Sequence, residues 1–197
     1  MTKPLLLLDI DGVLAPFLTH EAMDAIAEAD DEQASKLTHK EVRISAFNTV
    51  YVRHDLPEIM RELMLHFELM WGTAWGGHQA NTYMLHHLGL ENPLNSIDYF
   101  DAVEGVEQRM SGFRFTRGMP DFWKMPWIEK FAEQSGRPFA FIDDEVGKQA
   151  EEWAAERTSS GIPTLMVKTD GTIGWADHHK DELIDWAKEV SGVNAEG

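Results

Sequence analysis

The sequence predicts an α/β fold in which a mainly parallel sheet of five strands carries helices on both faces. Short apolar runs alternate along the chain with longer stretches of helical periodicity, which is the pattern of βαβ units. Several of these runs end directly in polar residues, and ligands of parallel sheets bind outside the carboxyl ends of the strands. A chain of 197 residues is long enough for one such domain, which we assign to residues 1–191 with a frayed tail at 192–197.

The first predicted strand is PLLLLDI at 4–10, because four consecutive leucines indicate a strand buried on both faces. The other predicted strands are FELMWG at 67–72, a weaker YFDAV at 99–103, RPFAFID at 137–143 and PTLMVK at 163–168. Helices are predicted at 56–67, 78–90, 125–136, 145–161 and 178–190. The third predicted helix has Pro126 near its start and Gly136 at its end, and these residues are typical of the first turn and the C-terminal end of a helix.

Residues 17–54 do not fit this alternation. They contain an acidic, helix-like stretch at about 20–36 and then VRISAFNTVYVRH, where alternation around Asn48 predicts a hairpin. We interpret the region as a small helix-plus-hairpin insertion, or minimal cap, over the crevice. The alternative is a surface excursion without a role.

The composition excludes several classes of function. The formal charge of −17 works against a nucleic-acid partner, because affinity for nucleic acids comes largely from cations. The chain has no cysteine, which excludes disulfides, thiol nucleophiles and zinc–thiolate sites. The four leucines after Lys3 are too few for a signal-peptide core, and no apolar run approaches the roughly 18 residues of a membrane span. We therefore expect a cytoplasmic protein without a membrane partner.

Six polar residues lie at or just after predicted strand ends, or at a helix start: Asp9, Asp11, Thr73, Lys124, Asp143 and Asp144. Each has an ordinary alternative, since acids and threonine at such places often cap helices and a lysine is usually solvated. Their order along the chain, each beside an apolar strand, predicts one shared site.

Clustered carboxylates repel one another, and hard oxygen ligands that leave room for phosphate suit Mg²⁺. The Thr73 hydroxyl, backbone N–H groups such as that of Ala74, and Lys124 could bind phosphoryl oxygens. Asp9 could then attack phosphorus to form an aspartyl-phosphate, while Asp11 moves protons to the leaving oxygen and from water. The residues therefore predict a phosphoryl-transfer site.

Four short segments resemble the motifs of the haloacid dehalogenase (HAD) superfamily: DIDGV at 9–13, WGTAW at 71–75, WKMP at 123–126 and IDD at 142–144. The resemblance spans residues 5 to about 168 and implies a Rossmann-like core and phosphatase activity. It implies that Asp9 is the nucleophile, Asp11 the acid/base, and Thr73 and Lys124 the phosphate ligands. It also implies Mg²⁺ held by Asp9, the Asp11 carbonyl and the pair Asp143–Asp144, of which we favour Asp144 as the direct ligand.

A narrower resemblance links the chain to HAD domains of the multidomain Swiss Army Knife RNA-repair proteins and to their stand-alone actinobacterial and phage relatives. It rests on WGTAW, Asn81, LGL at 88–90, the tryptophan before Lys124 and RPFAFIDDE. It implies a nucleotide or nucleic-acid end as substrate besides a phosphorylated small molecule, and the acidic composition disfavours the nucleic-acid end. Trp75 could stack on a substrate ring.

Two other classes of protein could carry a similar set of residues. A receiver domain would place its acceptor aspartate on the third strand, before threonine and lysine, and the order here differs. A catalytically silent HAD scaffold that uses the pocket for binding stays the alternative. Phosphotransferase or dehalogenase chemistry is also open, although an acid at Asp11 favours phosphoryl over halide chemistry.

The stretch 109–124 is locally basic, with Arg109, Arg114 and Arg117 before Lys124. We interpret Arg114 and Arg117, with Arg53 of the predicted hairpin, as guides for an anionic substrate. The alternative is that these arginines pair with the acidic stretch at 21–35.

Overall fold

Four parallel strands organise the part of the chain that the structure describes. The structure is a computed structural model, and it describes residues 2–18, 39–44, 49–99 and 122–193. The strands of the sheet are β1 (Leu5–Leu8), β4 (Glu68–Trp71), β5 (Phe139–Asp143) and β6 (Thr164–Lys168). A separate antiparallel pair is formed by β2 (His39–Arg43) and β3 (Thr49–Arg53).

In the described ranges, five α-helices surround these strands: α1 (Leu56–His66), α2 (Gly77–Tyr83), α3 (Met125–Ser135), α4 (Lys148–Ser159) and α5 (Asp177–Val193). A short 3₁₀ helix, Leu85–Leu88, follows α2. None of the helices in the described part of the chain has the length and apolar character that a membrane span requires.

The four leucines of β1 are buried because the strand lies between two layers of helices. Leu6 and Leu8 pack with Leu63 of α1 and Leu183 of α5 in one core cluster. Leu5 and Leu7 alternate to the opposite face, in a second cluster that also contains residues of α3 and α4. The predicted α/β class, the parallel sheet and the helices on both faces are confirmed.

The strand order β4-β1-β5-β6 creates the crevice at which the polar residues meet. The chain runs from β1 outward to β4 and later returns to add β5 on the other side of β1. At such a reversal the loops after neighbouring strands separate and leave a crevice outside their carboxyl ends. Asp9 follows β1, Thr73 follows β4, and Asp143 ends β5.

Several elements differ from their predicted form. Tyr99 lies in a turn, and the rest of the predicted strand 99–103 lies outside the described residues, so the sheet described has four strands. The predicted helix 78–90 is divided into α2 and the 3₁₀ helix, which Gly89 ends with a φ of 68° that favours glycine. Helix α5 continues through 192 and 193, where a tail was predicted.

The region 17–54 is described only in part. The pairing of β2 with β3 confirms the predicted hairpin, and Val42 and Val52 pack into the core cluster of α1. The predicted acidic helix at about 20–36 and the hairpin turn around Asn48 lie outside the described residues.

Candidate active site

A buried lysine joins two buried aspartates at the centre of the crevice. Lys124 precedes α3, and its Nζ donates to Asp9 Oδ2 at 2.7 Å and to Asp143 Oδ2 at 2.5 Å. Parallel pairing of β1 with β5 holds the two carboxylates side by side, since Leu8 pairs with Ile142. The relative exposure of Lys124, Asp9 and Asp143 is 2%, 3% and 0%, so this network is shielded from solvent.

Burial and proximity shift the protonation of this network. Burial, and then the neighbouring Asp9, raise the pKa of the Asp143 carboxyl to about 8, although the Lys124 charge opposes the shift. Burial alone would lower the pKa of Lys124, but Asp9 and Asp143 outweigh it and raise that pKa. Lys124 therefore stays protonated, and full ionisation of Asp9, Asp143 and Asp144 around it would leave an excess of negative charge that is costly in a low-dielectric interior.

Asp144 completes a group of three carboxylates. Asp9, Asp143 and Asp144 each offer one oxygen, and these oxygens all lie within 4.8 Å of one another. Asp143 already accepts from Lys124 and, through Oδ1, from the Glu145 N–H at 2.8 Å, which fixes its orientation. Asp144 is only partly buried, and burial followed by the Asp9 charge raises the pKa of its carboxyl.

Glycines make room for the Asp144 carboxylate. A Cβ built on Gly171, in the turn after β6, would lie 2.6 Å from Asp144 Oδ2. A Cβ on Gly12 would also collide with the Asp144 side chain, and its φ of 68° is itself strained for other residues. These hard, mostly negative oxygen donors fit a cation such as Mg²⁺. The donor set therefore agrees with the metal that the HAD resemblance implies.

Asp11 lies apart from the three-carboxylate group and is held by a tryptophan. The Trp75 indole N–H donates to Asp11 Oδ2 at 2.8 Å. Burial chiefly raises the pKa of the Asp11 carboxyl, the Trp75 hydrogen bond opposes this, and Asp9 adds to it. A carboxyl with a raised pKa beside Asp9 is suited to donate and accept protons.

Thr73 is buried at the turn between β4 and α2, where its Oγ1 accepts from the Trp75 backbone N–H at 3.3 Å. The residue that caps α2 is Gly76, so capping does not explain the threonine. Ala74 next to it is exposed.

Three further contacts support the site, and sequence reasoning did not find them. The Tyr99 hydroxyl donates to the Gly72 carbonyl at 3.0 Å and holds the turn that carries Thr73. The Thr169 hydroxyl donates to the Gly12 carbonyl at 2.8 Å, across 157 positions of sequence. Trp123 Nε1 donates to Glu145 Oε2 at 2.6 Å. Only the tertiary fold brings these partners together, so no local motif signals them.

The predicted basic guide is not supported at Arg53. Its guanidinium is buried, pairs with Asp55 and Asp177, and donates to the Trp175 carbonyl at 2.8 Å. These bonds occupy the fork in a structural contact, so the assignment of Arg53 as a substrate guide is wrong. Arg109, Arg114 and Arg117 lie outside the described residues.

Neither a scan against protein-family models nor a search of curated proteins found a match to this chain.

Proposed function

We propose that the protein is a Mg²⁺-dependent phosphomonoester hydrolase of the HAD type that works through an aspartyl-phosphate. The observation that carries the proposal is the buried Lys124 that bridges Asp9 and Asp143 beside Asp144. Three carboxyl groups lie around this one ammonium, and two of them are buried with it, so their full ionisation would leave negative charge that Lys124 does not neutralise. Such an arrangement is suited to an additional cation and an anionic substrate.

Asp9 is the nucleophile in this proposal. One of its carboxylate oxygens bonds to phosphorus, while the bond from phosphorus to the ester oxygen breaks and its electron pair goes to that oxygen. Lys124, the Thr73 hydroxyl and the Ala74 N–H bind the non-bridging oxygens as their charge increases. Donors of this kind, fixed before the reaction, typically contribute about 10²–10³ each in rate.

Asp11 is the acid and then the base. Its protonated carboxyl gives a proton to the leaving oxygen, which departs as an alcohol. The resulting carboxylate takes a proton from water as that water bonds to phosphorus and the bond to Asp9 breaks. The products are the alcohol and inorganic phosphate, and Asp9 and Asp11 return to their starting states.

Asp9, Asp144 and the Asp11 carbonyl would hold the metal, with Asp143 kept in place by Lys124 and the Glu145 N–H. When bound, Mg²⁺ supplies positive charge that offsets the carboxylates and the transferring phosphoryl group. The half-buried position of Asp144 and the full burial of Asp143 support this division of roles.

The substrate is proposed to be a phosphorylated small molecule or nucleotide. A nucleic-acid end is disfavoured because the net charge of −17 repels a polyanion. A cytoplasmic location belongs to the same proposal.

The test is a hydrolysis assay on aryl phosphates, sugar phosphates, nucleotides and 3′- or 5′-phosphorylated oligonucleotides, with Mg²⁺ and after EDTA. Activity is expected only with the metal, and Asp9→Asn, which keeps size and hydrogen bonding, should reduce it by at least about 10³. Wild-type protein without activity on the whole panel would point to the silent-scaffold alternative. Full activity in EDTA, or an active Asp9→Asn protein, would contradict the assignments of metal and nucleophile respectively.

A further inference from the structure

Trp75 contacts two different parts of the candidate site with one side chain. Its indole N–H donates to Asp11 Oδ2 at 2.8 Å, and its ring packs partly against the core cluster of α1. The residue also lines a cleft of about 510 Å³. The other lining residues of this cleft are Gly76, Gly77, His78, Gln79, Ser96, Ile97 and Asp98. Trp75 therefore connects the carboxyl of Asp11 to the open space beside it.

We propose that Trp75 positions Asp11 for proton transfer and forms a wall of the cleft that receives the leaving group. The inference rests on the proposed phosphatase function and extends it to substrate choice. A second cleft of about 630 Å³ extends along β4 to Glu68 and Arg137, and none of the proposed catalytic residues lines it. The proposed catalytic residues do not line the smaller cleft either, and Trp75, which donates to Asp11, is the residue that links this cleft to the proposed proton donor.

The chemistry of the indole explains the positioning. An indole N–H only donates, so Asp11 Oδ2 must accept. This bond fixes the rotation of the Asp11 side chain and leaves Oδ1 as the oxygen that can face the leaving group, which a proton donor has to approach within hydrogen-bond reach.

The position of the cleft follows from the same contact. The leaving oxygen has to meet Asp11, so the group attached to that oxygen extends along the side chain that holds Asp11. Gly76 and Gly77 add no side chains there, and the indole face offers a flat apolar surface. The geometry thus favours phosphomonoesters whose alcohol part contains a planar ring.

The experiment compares Trp75→Phe with wild type on two classes of substrate in Mg²⁺. Phenylalanine keeps a ring in the cleft and removes the N–H. Alkyl phosphates need a proton at the leaving oxygen, and general acids contribute about 10²–10⁴, so partial misplacement of Asp11 should reduce kcat for them about tenfold. An activated aryl phosphate, whose phenolate leaves unprotonated, should change less than about threefold. Trp75→Leu should in addition raise KM for substrates with a planar alcohol part.

Trp71→Phe is the matched control. Trp71 lies before the same turn and is buried, and its Nε1 donates to Asn81 Oδ1 at 2.9 Å rather than to Asp11. If Trp71→Phe only loosens the turn that carries Thr73 and Trp75, hydrolysis of both substrate classes should slow by the same factor. If Trp75→Phe also slows both classes equally, or neither, the positioning role is overturned.

A second measurement does not depend on activity. The indole ¹⁵N–¹H spectrum contains one signal for each of the seven tryptophans, and the signal lost in Trp75→Phe identifies Trp75. Asp11→Ala should move that signal because it removes the acceptor. An unmoved signal would overturn the inference even if the protein is an active phosphatase, whereas inactivity of the wild type on every phosphomonoester would overturn the proposed function itself.

Discussion

Two buried cations are each held by two aspartates, and they differ in how the carboxylates are exposed. The Lys124 side chain is 3% exposed, and those of its partners Asp9 and Asp143 are 4% and 0% exposed. The Arg53 side chain is 6% exposed, but those of Asp55 and Asp177 are 32% and 69% exposed. Water can therefore stabilise the negative charge around Arg53 and not around Lys124.

The donors differ as well. Arg53 is a planar fork that binds Asp55 through two nitrogens and also reaches the Trp175 carbonyl, so it joins the end of β3 to the start of α5. Lys124 is a compact ammonium beside three carboxylates. A guanidinium whose nitrogens all donate hydrogen bonds is suited to hold two elements together. An ammonium among several carboxylates can also bind an anion, and those carboxylates can also bind a cation. The comparison teaches that burial of a cation alone does not distinguish a structural contact from a candidate site, and that burial of the carboxylates around it does.

The largest effect in this comparison is expected when Lys124 is replaced. If the proposed mechanism holds, Lys124→Met should reduce kcat/KM for phosphomonoesters by about 10³, because it removes the proposed phosphate ligand and a hydrogen-bond partner of Asp9. Lys124→Arg should not restore activity, since the larger fork cannot occupy a site built around one ammonium. The measurement is hydrolysis of an aryl phosphate at saturating Mg²⁺, with circular dichroism as the control for folding. A Lys124→Met protein that keeps a tenth of the wild-type rate would argue against the role of Lys124.

Replacing Arg53 should affect stability rather than activity. Arg53→Met should lower the free energy of unfolding by about 2–3 kcal/mol, because it leaves the Trp175 carbonyl without this donor and removes the link between the end of β3 and the start of α5. The partly exposed carboxylates keep this loss below that of a fully buried pair. At a temperature where the variant is folded, kcat/KM should stay within about threefold of wild type.

Urea denaturation measures this effect, and Arg53→Lys is the control. Lysine keeps the charge but not the fork, so we expect it to recover only part of the lost stability. A folded Arg53→Met protein with wild-type stability and a large loss of activity would contradict the structural role of Arg53 and support a role in substrate binding.

The sequence predicted those features that depend on local pattern and strand order. The leucine run of β1 indicated burial on both faces, and alternation predicted the β2–β3 hairpin. Asp9 and Asp143 follow apolar runs, so their convergence could be expected once the two strands were placed side by side. A motif also marked Lys124, although its sequence could not show that Nζ bridges both carboxylates.

The remaining contacts depend on tertiary packing. Asp55 lies only two positions from Arg53, but the other two partners of its guanidinium, Trp175 and Asp177, lie 122 and 124 positions away and could not be foreseen. The bond from Trp75 to Asp11 depends on the rotation of an indole ring, which residue types and spacing do not determine. The division of the helix predicted at 78–90 has a similar origin, since buried Ala80, Met84 and Leu88 continue one apolar face through α2 and the 3₁₀ helix. Periodicity alone does not distinguish these two kinds of helix.

The smallest expected effect concerns pH and the buried His179, whose ring lies beside that of Trp175, the residue whose carbonyl accepts from Arg53. Its Nδ1 accepts from the Ala176 N–H at 3.0 Å, and burial, followed by the charge of His178, lowers the pKa of His179 to about 4. The unfolded chain therefore binds more protons than the folded one between about pH 4 and the usual histidine pKa of about 6.5. This contribution to stability is complete above about pH 6.5 and is lost as the pH falls toward 4.

His179→Gln should accordingly remove part of the acid sensitivity. We expect the fall in unfolding free energy between pH 7 and pH 5, measured in urea, to be smaller by about 2 kcal/mol in this variant than in wild type. The exposed neighbour supplies the control, since His178→Gln removes a minor cause of the shift and should keep most of the pH dependence. Carboxylates elsewhere titrate alike in all three proteins, so the difference isolates His179. An unchanged pH dependence in His179→Gln would mean that acid destabilises the protein through another group, and the excess of carboxylates around Lys124 would be the next place to look.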